Sequence, residues 1–293
     1  MIKAVITRVL RLLTGQIESF YVIKRHLPRE NLPVNPLMLS PMPRRAPRPA
    51  EGSQPTHRSG TIVEAPRRLQ RLIRAVDSLG LAFRGAFHPE PADGVPPLAD
   101  GTPTLTVVLL GWTGGDQWPV FAASPEFRDG LPDPLNRWSK RLIDGVASEF
   151  GAAAFYPFGG PPWLDFQSWA LKAEPVHRSP LGLVIHPQWG LWHSYRGALG
   201  LRGHVDLGPR VSGPHPCEQC VGRPCLSACP VSAFAAERPY DHTACLEHLQ
   251  GAGEDCRTRA CAARRACPIA PDKRYSEPQA AFHIRALLAN RLG

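Results

Sequence analysis

Cysteine is absent from the first 216 residues, although the full chain of 293 residues contains eight. All eight lie between Cys217 and Cys267. Such clustering indicates a dedicated site, because cysteine used as an ordinary small apolar residue would be spread through the core. Since all eight belong to this segment, none is left over to act as a catalytic nucleophile.

The sequence also lacks the uninterrupted apolar stretch that begins a secreted protein or crosses a membrane. Residues 1–25 are apolar at helical spacing, but Arg8 and Arg11 interrupt their apolar part. We therefore expect neither a signal peptide nor a membrane span. Disulfides need an oxidising compartment, so we expect reduced thiols and a cytoplasmic location. Contact of residues 1–25 with a membrane surface stays open beside a loosely docked amphipathic helix.

Three common catalytic signatures are missing as well. The glycine turn Thr113–Asp116 is not followed by Gly-Lys-Ser/Thr, which a phosphate-binding loop requires. There is no Gly-x-Ser-x-Gly, and the histidines do not have the spacing of a zinc-binding helix. The histidines considered are His177, His186, His193, His204 and His215, which we expect in partly exposed loops. No catalytic residue is predicted.

Positive charge is concentrated at one end of the chain. The net charge is +9, yet residues 1–75 hold 14 Lys/Arg and 4 Asp/Glu, while the remainder holds 20 and 21. The folded part is thus nearly neutral. We expect no nucleic-acid partner, because binding to phosphates needs a basic surface on the folded domain.

Composition and patterning divide the chain into four parts. Residues 1–66 form a basic, proline-rich and mostly unstructured extension, with nine prolines between Leu27 and Pro66; a true start downstream of Met1 would also explain it. Residues 67–210 form a mixed α/β body, 211–275 hold the cysteines, and 276–293 form a final helix. The predicted class is α+β, followed by a ferredoxin-like segment.

Within the body, apolar spacing predicts particular helices and strands. Helices are expected over 69–79, from Asp133 to Phe150 with Asp133 as cap, and over 166–173. Strands are expected over 81–88, 104–112 and 152–158, and a hairpin over 181–201 that turns at His186–Gly190. Four tryptophans could line a flat cofactor pocket or pack in the core: Trp163, Trp169, Trp189 and Trp192.

The cysteines fall into two runs of four. The first is Cys217-x2-Cys220-x4-Cys225-x3-Cys229, and the second is Cys245-x10-Cys256-x4-Cys261-x5-Cys267. Each run ends in Cys-Pro, as do the cysteine runs of bacterial ferredoxins with cubane iron–sulfur clusters, although the gaps here are wider. Thiolates are soft donors that suit iron–sulfur cores.

In two-cluster ferredoxins the last cysteine of a run crosses to the other cluster. Applied here, that rule gives two sets of ligands. They are Cys217, Cys220, Cys225 and Cys267 for the first [4Fe-4S] cluster, and Cys245, Cys256, Cys261 and Cys229 for the second. Two structural zinc sites or a set of disulfides are the alternatives. The interleaved arginines would offset the negative charge of the clusters or serve solubility: Arg223, Arg257, Arg259, Arg264 and Arg265.

Residues 150–270 resemble the epoxyqueuosine reductase type of iron–sulfur protein. The likeness rests on the two cysteine runs, on the stretch YDHTACLEHL between them, and on WALKAEPVHRSPLGLVIHPQWGLW at 169–192. The resemblance implies a cobalamin-binding domain ahead of a ferredoxin-like module; a flavin is the other cofactor that the body could hold if the chain is an enzyme. A similar body and an Arg-Pro-Cys-Leu run also occur in short bacterial proteins described as ferredoxin-like.

The chain departs from that family where proton donation is expected. The acidic residue of the family falls near Gly160, the nearby Asp165 is better explained as an exposed helix residue, and Glu174–Pro180 replaces a glycine-rich stretch. We therefore expect two [4Fe-4S] clusters that pass electrons to a redox partner protein or a bound cofactor. A corrinoid- or flavin-dependent reductase and a structural zinc module remain the alternative functions.

Overall fold

The computed structural model describes residues 67–235 and 238–292. The helix predicted over 1–25 and the proline-rich stretch Leu27–Pro66 lie outside these residues. The described chain is a mixture of helices and strands, which confirms the predicted α+β class. Among the described helices, none combines the length and the apolar character needed to cross a bilayer.

Six strands occur in the described residues. They are β1 Ala82–Phe87, β2 Thr106–Thr113, β3 Ala153–Phe155, β4 His177–Arg178, β5 Val184–Ile185 and β6 His193–Leu201. Four of them form an antiparallel sheet in the order β1-β2-β6-β3, and β4 pairs with β5 in a separate two-stranded sheet. β2 is paired with β6 from Thr106 opposite Leu201 to Thr113 opposite His193.

The α-helices of the described residues are α1 Arg67–Ser78, α2 Trp118–Ala122, α3 Pro125–Arg128, α4 Pro134–Phe150, α5 Phe166–Ala173, α6 Pro224–Ser227, α7 His242–Gln250, α8 Glu254–Arg259, α9 Ala262–Arg265 and α10 Glu277–Leu292. Only α1, α4 and α10 among them are long; the others are short. Single 3-10 turns occur at Pro91–Asp93 and Pro271–Lys273.

One face of the large sheet packs against α1 and α4, which form where apolar spacing predicts them. The buried side chains that meet there are Leu69, Leu72 and Val76 of α1, Leu135, Trp138, Ile143 and Val146 of α4, and Val108, Leu110 and Trp112 of β2. Each large apolar side chain removed from water in this way contributes roughly 1.5–3 kcal/mol. This layer is the larger part of the core.

The opposite face packs against α5. Phe166, Trp169 and Ala170 of that helix contact Val107 and Leu109 of β2. Because both faces of β2 are covered, its sequence is a continuous apolar run without polar alternation. The side chain of Asp165 accepts a hydrogen bond from the Ser168 amide at 3.0 Å and caps α5. Asp165 is therefore a half-buried cap and not the exposed helix residue expected from the sequence.

Two other local predictions are wrong. Asp133 precedes α4 in a left-handed conformation with φ 52°, and its side chain makes no capping hydrogen bond. The strand expected over 152–158 is limited to Ala153–Phe155, because the chain turns at Pro157, which has no amide to donate.

The predicted hairpin over 181–201 is also wrong as a two-stranded unit. A single bridge joins His186 to Gly190, after which the two arms separate. β5 pairs with β4, whereas β6 lies between β2 and β3 in the large sheet. β6 is thus paired on both sides, and this prevents it from forming a ladder with β5.

The helix predicted over 276–293 is present as α10, and it packs on the body through another face than expected. Gln279 and Ala280 are buried, and the ring of Phe282 lies 5.4 Å from the rings of Trp118 and Phe121. The predicted contact residues are only half-buried: Ala281, Ile284, Leu287 and Leu288.

Substitution of Gly85 tests the irregularity of β1. Gly85 has φ +81°, and a Cβ added there would lie 2.3 Å from the Ala173 carbonyl oxygen. We expect Gly85→Ala to lower the free energy of unfolding by about 2 kcal/mol or more, since it adds strain and a clash with backbone. Denaturant unfolding measures the change.

Gly145→Ala is the matched control, because it lies inside α4 with nothing within 4 Å of an added Cβ. We expect it to raise the free energy of unfolding by roughly 0.5–1 kcal/mol. Equal effects of the two substitutions would contradict the described path of β1 against α5.

Candidate metal centre

All eight cysteines lie in a segment of short helices and turns, and none forms a disulfide. Cys217 and Cys220 lie in a turn, Cys225 in α6 and Cys229 just after it. Cys245 and Cys256 lie within α7 and α8, Cys261 caps α9, and Cys267 follows it. Cys256 and Cys267 are buried, and the other six are half-buried.

The first group of thiols contains one cysteine from the second run. Burial raises the pKa of Cys217 to about 11, with further contributions from the nearby thiols of Cys267, Cys225 and Cys220. Burial and then the Cys267 thiol raise the pKa of Cys225 as well. Cys267 therefore lies among the thiols of the first run.

The second group of thiols lies near one cysteine of the first run. Burial raises the pKa of Cys245, and Cys229 and Cys256 lie close enough to add to the effect. Burial likewise raises the pKa of Cys261 to about 11, and the nearby thiols of Cys256 and Cys245 contribute to this rise. Cys229 therefore lies near Cys245, and it also belongs to the cluster that contains Cys217, Cys225 and Cys267.

An apolar shell with amide donors surrounds these thiols. Leu181, Ile185 and Leu191 of the body pack against the cysteine segment in one cluster with Ala263 and Cys267. Such surroundings lower the local dielectric constant and strengthen every polar contact with sulfur.

Several polar groups point to sulfur within this shell. The Ala233 amide donates to Cys229 Sγ at 3.3 Å. Burial raises the pKa values of Cys245, Cys267 and Cys225, and the Tyr240 hydroxyl and the amides of Ile269 and Leu226 partly oppose these shifts. Hydrogen bonds of this kind stabilise thiolate and sulfide ligands and tune the reduction potential of iron–sulfur clusters.

Among the described residues, no three His, Cys, Asp or Glu side chains form a group that could hold a single metal ion. A polynuclear cluster lies between its thiolates and spaces them more widely than one tetrahedral ion, around which they would be about 3.8 Å apart. The absence of such a group among the described residues therefore bears on sites for single metal ions.

Arg264 joins the cysteine segment to the body. Its guanidinium donates to the Leu191 carbonyl oxygen at 2.6 and 3.1 Å, and it lies 4.4 Å from the ring of Trp192 and 4.7 Å from that of Tyr275. Beside it, Gly190 (φ +57°) lies so close to the backbone after Cys267 that an added Cβ would be 2.4 Å from the Ile269 carbonyl oxygen. The turn at His186–Gly190 thus rests directly on the cysteine segment.

The other arginines between the cysteines mainly satisfy local carbonyls and carboxylates. Arg257 donates to the carbonyls of Leu249 and Gly251, while Arg259 and Arg265 pair with Asp255. Burial raises the pKa values of Cys217 and Cys267. Arg223 partly opposes the shift at Cys217, and Arg274, which sequence reasoning missed, partly opposes the shift at Cys267.

The histidines are arranged differently from the expected exposed loops. His186 and His193 are buried with rings 6.2 Å apart, and His177 stacks on His215 at 4.6 Å. Burial and then Arg84 lower the pKa of His186 to about 4, so this imidazole is neutral at pH 7. Among the five, only His204 is exposed.

A buried ion-pair network that sequence reasoning missed contains His193. Arg84, 1% exposed, donates to both carboxylate oxygens of Glu174 at 2.8 and 3.3 Å, to the Trp112 carbonyl oxygen at 2.6 Å, and meets His193 Nδ1 at 3.0 Å. The Tyr195 hydroxyl donates to Glu174. The one signal of this network in the sequence was Arg84 itself, a charged residue inside a predicted strand of mostly apolar residues.

The four tryptophans do not form a common flat pocket. Trp169 is buried under the sheet and donates to the Asp93 carbonyl oxygen at 2.9 Å, while Trp192 is buried against α10. Trp163 is exposed and Trp189 half-buried. Open clefts of about 390 and 490 Å³ lie against the cysteine segment.

Glu174→Gln tests the buried network. It leaves the Arg84 guanidinium without a counter-charge, and we expect the free energy of unfolding to fall by about 3–5 kcal/mol. Arg202→Gln, which breaks the exposed pair with Asp100, should lower the free energy of unfolding far less than Glu174→Gln does. The double variant Arg84→Met/Glu174→Leu should be less destabilised than Glu174→Gln alone. Additive losses in the double variant would show that the pair is not coupled.

No family model matches the chain, and no curated protein matches it. Solved structures give weak likenesses to epoxyqueuosine reductases. That of Streptococcus thermophilus has 15% identity and a TM-score of 0.41, with 76% of each chain covered. That of Bacillus subtilis has 14% identity and a TM-score of 0.41, covering 71% of this chain and 66% of the other. A third, solved with an epoxyqueuosine-modified tRNA-Tyr stem loop, has 15% identity and a TM-score of 0.40, covering 73% and 68%. These likenesses are too weak to carry an argument about the activity of this chain.

Proposed function

We propose that the chain binds two [4Fe-4S] clusters and passes single electrons through them to a redox partner. Support comes from the two Cys-Pro cysteines: Cys267 packs in one cluster with Cys217 and Cys225 of the first run, and Cys229 lies near Cys245 of the second. Two-cluster ferredoxins have this crossed arrangement, and neither two separate zinc sites nor disulfides require it.

The proposed ligands are the same as the sequence predicts. Cys217, Cys220, Cys225 and Cys267 hold the first cluster, and Cys245, Cys256, Cys261 and Cys229 hold the second. The apolar shell and the amide donors around the thiols suit clusters whose potential depends on hydrogen bonds to sulfur. In this proposal, residues 211–275 are the cluster segment, residues 67–210 are the body and residues 276–293 are the C-terminal helix.

An open cleft beside the first set of cysteines supports exchange of electrons with another molecule. The cleft of about 390 Å³ is lined by Cys220 and by the apolar residues Val221, Pro268 and Ile269. Val221 is 95% exposed, so the first cluster would lie near the surface. A redox partner protein can approach closely there, whereas nucleic acid remains an unexpected partner.

Paired cysteine substitutions test the crossed ligand sets. The chain purified without oxygen should contain about eight iron and eight sulfide per polypeptide, absorb near 400 nm and bleach with dithionite. Cys220→Ala and Cys267→Ala should each lose about half of the iron, and the double variant should lose no more than either. Cys220→Ala/Cys256→Ala should lose nearly all, because it removes a ligand from each cluster.

Other metal contents would overturn the proposal. Colourless protein with zinc would favour the structural zinc module, and co-purified flavin or cobalamin would favour the reductase alternative. If Cys220→Ala/Cys267→Ala lost all iron while Cys220→Ala/Cys225→Ala kept half, the crossing would be refuted although iron–sulfur binding would stand.

Deletion of Gly222 and Arg223 tests the widened gap of the first run. Both residues have positive φ, +72° and +39°, and they turn the chain into α6, which holds Cys225. We expect the deletion to lose about half of the iron with every cysteine intact. Full iron content and an unchanged spectrum would show that this turn has no part in placing Cys225.

A further inference from the structure

The loop between Cys229 and Cys245 joins the two runs of cysteines and contains no cysteine itself. The structure describes its residues 230–235 and 238–244, which we call the connecting loop. Because the loop begins and ends at a cysteine, its polar groups are never far from a thiol. The connecting loop is therefore placed to supply hydrogen-bond donors to sulfur.

Backbone hydrogen bonds fold the connecting loop back on the cysteines at its two ends. The Ala233 amide donates to Cys229 Sγ at 3.3 Å, and the Ala233 carbonyl oxygen accepts from the Asp241 amide at 2.9 Å. The side chain of Asp241 caps α7, the helix that holds Cys245. Residues 233 and 241 are thus held side by side, each next to one of the two cysteines.

The ring of Tyr240 is fixed by a stack with Phe234. The two ring centroids lie 4.7 Å apart, and the ring planes are inclined by only 11°. Tyr240 is 43% exposed, so the stack lies at the surface of the cysteine segment. Because Phe234 follows Ala233 and Tyr240 precedes Asp241, the backbone hydrogen bond between Ala233 and Asp241 holds the two rings together.

The hydroxyl of Tyr240 points to the thiols of the second ligand set. Burial raises the pKa of Tyr240, a hydrogen bond to Cys245 raises it further, and the nearby thiols of Cys261 and Cys229 add to the rise. Burial also raises the pKa of Cys245, and the hydrogen bond from Tyr240 opposes that rise. The phenol thus keeps its proton at neutral pH and donates it toward a thiolate, which has none of its own.

A donor in this position favours the reduced form of an iron–sulfur cluster. Reduction of a [4Fe-4S] cluster adds one electron, and hence one negative charge, to the iron, sulfide and thiolate atoms without breaking a bond. A hydrogen bond to a charged acceptor is stronger than one to a neutral acceptor. Donation to a ligand sulfur should therefore raise the reduction potential, which depends on such hydrogen bonds.

We infer that Tyr240 tunes the second cluster, raising its reduction potential through the hydroxyl at the Cys245 sulfur while Phe234 holds the ring in place. The inference rests on the proposed function and adds a tuning residue to it. Charged groups lie near the first ligand set instead, with Arg223 close to Cys217 and Arg274 close to Cys267. The potentials of the two clusters can therefore be changed separately.

Tyr240→Phe tests the inference, because it removes the hydroxyl and keeps a ring that can stack on Phe234. The full-length chain, purified without oxygen, is reduced stepwise with dithionite at controlled potential, and electron paramagnetic resonance follows the reduced clusters. We expect two one-electron steps in the parent chain. In Tyr240→Phe, iron content should be unchanged, one midpoint potential should become more negative, and the other should stay the same.

A second readout detects the hydrogen bond itself. Electron–nuclear double resonance of the reduced chain, prepared in water and in deuterium oxide, reports exchangeable protons near a cluster. We expect Tyr240→Phe to lose one such proton signal that the parent chain has. A merely structural role for the ring would leave this signal in place, because phenylalanine preserves the stack.

Single-cluster chains show which cluster the hydroxyl acts on. Cys220→Ala should keep the second cluster alone, and Cys256→Ala should keep the first alone. Adding Tyr240→Phe should lower the potential in the Cys220→Ala chain and leave it unchanged in the Cys256→Ala chain. Tyr156→Phe is the matched control, since that hydroxyl bonds Asp144 of α4 at 2.5 Å. It should change neither potential.

Three results would overturn the inference. The first is full iron content with both potentials unchanged in Tyr240→Phe. The second is a shift that persists in the Cys256→Ala chain, which would place the hydroxyl beside the first cluster. The third is loss of about half of the iron in Tyr240→Phe, which would make the hydroxyl necessary for binding and not for tuning. A parent chain without iron would refute the proposed function and this inference with it.

Discussion

The buried guanidinium of Arg84 is the constraint around which the body is organised. A charge taken from water must be paired in place, since an uncompensated buried ion costs several kcal/mol. Glu174 at the end of α5 supplies the charge, the Trp112 carbonyl oxygen fixes β2, and His193 fixes the first residue of β6. One side chain of β1 thereby aligns three elements distant in sequence.

The cysteine segment is joined to this frame by few but specific contacts. Arg264 holds the Leu191 carbonyl oxygen, and the turn ending at Gly190 touches the backbone after Cys267. Within the segment, the longest helix, α7, has nine residues. Such short helices gain little stability of their own in water. Under the proposed function, the clusters would stabilise this segment, because the free energy of binding a cluster to the folded state adds to the free energy of unfolding.

Periodic elements could be predicted from the sequence, whereas contacts between distant residues could not. α1, α4, α5 and β2 follow apolar spacing, because their burial depends on residues within the same element. The hairpin at 181–201 failed because the partners of β6 lie far away in sequence. The crossed grouping of Cys229 and Cys267 stays a prediction from the Cys-Pro endings.

The approach of Gly190 to the Ile269 carbonyl oxygen has a consequence for how the two halves communicate. Contact between two backbones leaves no flexible side chain to absorb a displacement. A displacement of the chain after Cys267 would therefore press on the turn at His186–Gly190, whose His186 lies 3.9 Å from Glu174 of the buried ion pair. A side chain introduced at position 190 would act as a wedge. It would separate the cysteine segment from the body mechanically while leaving every thiol and every charge in the protein unaltered.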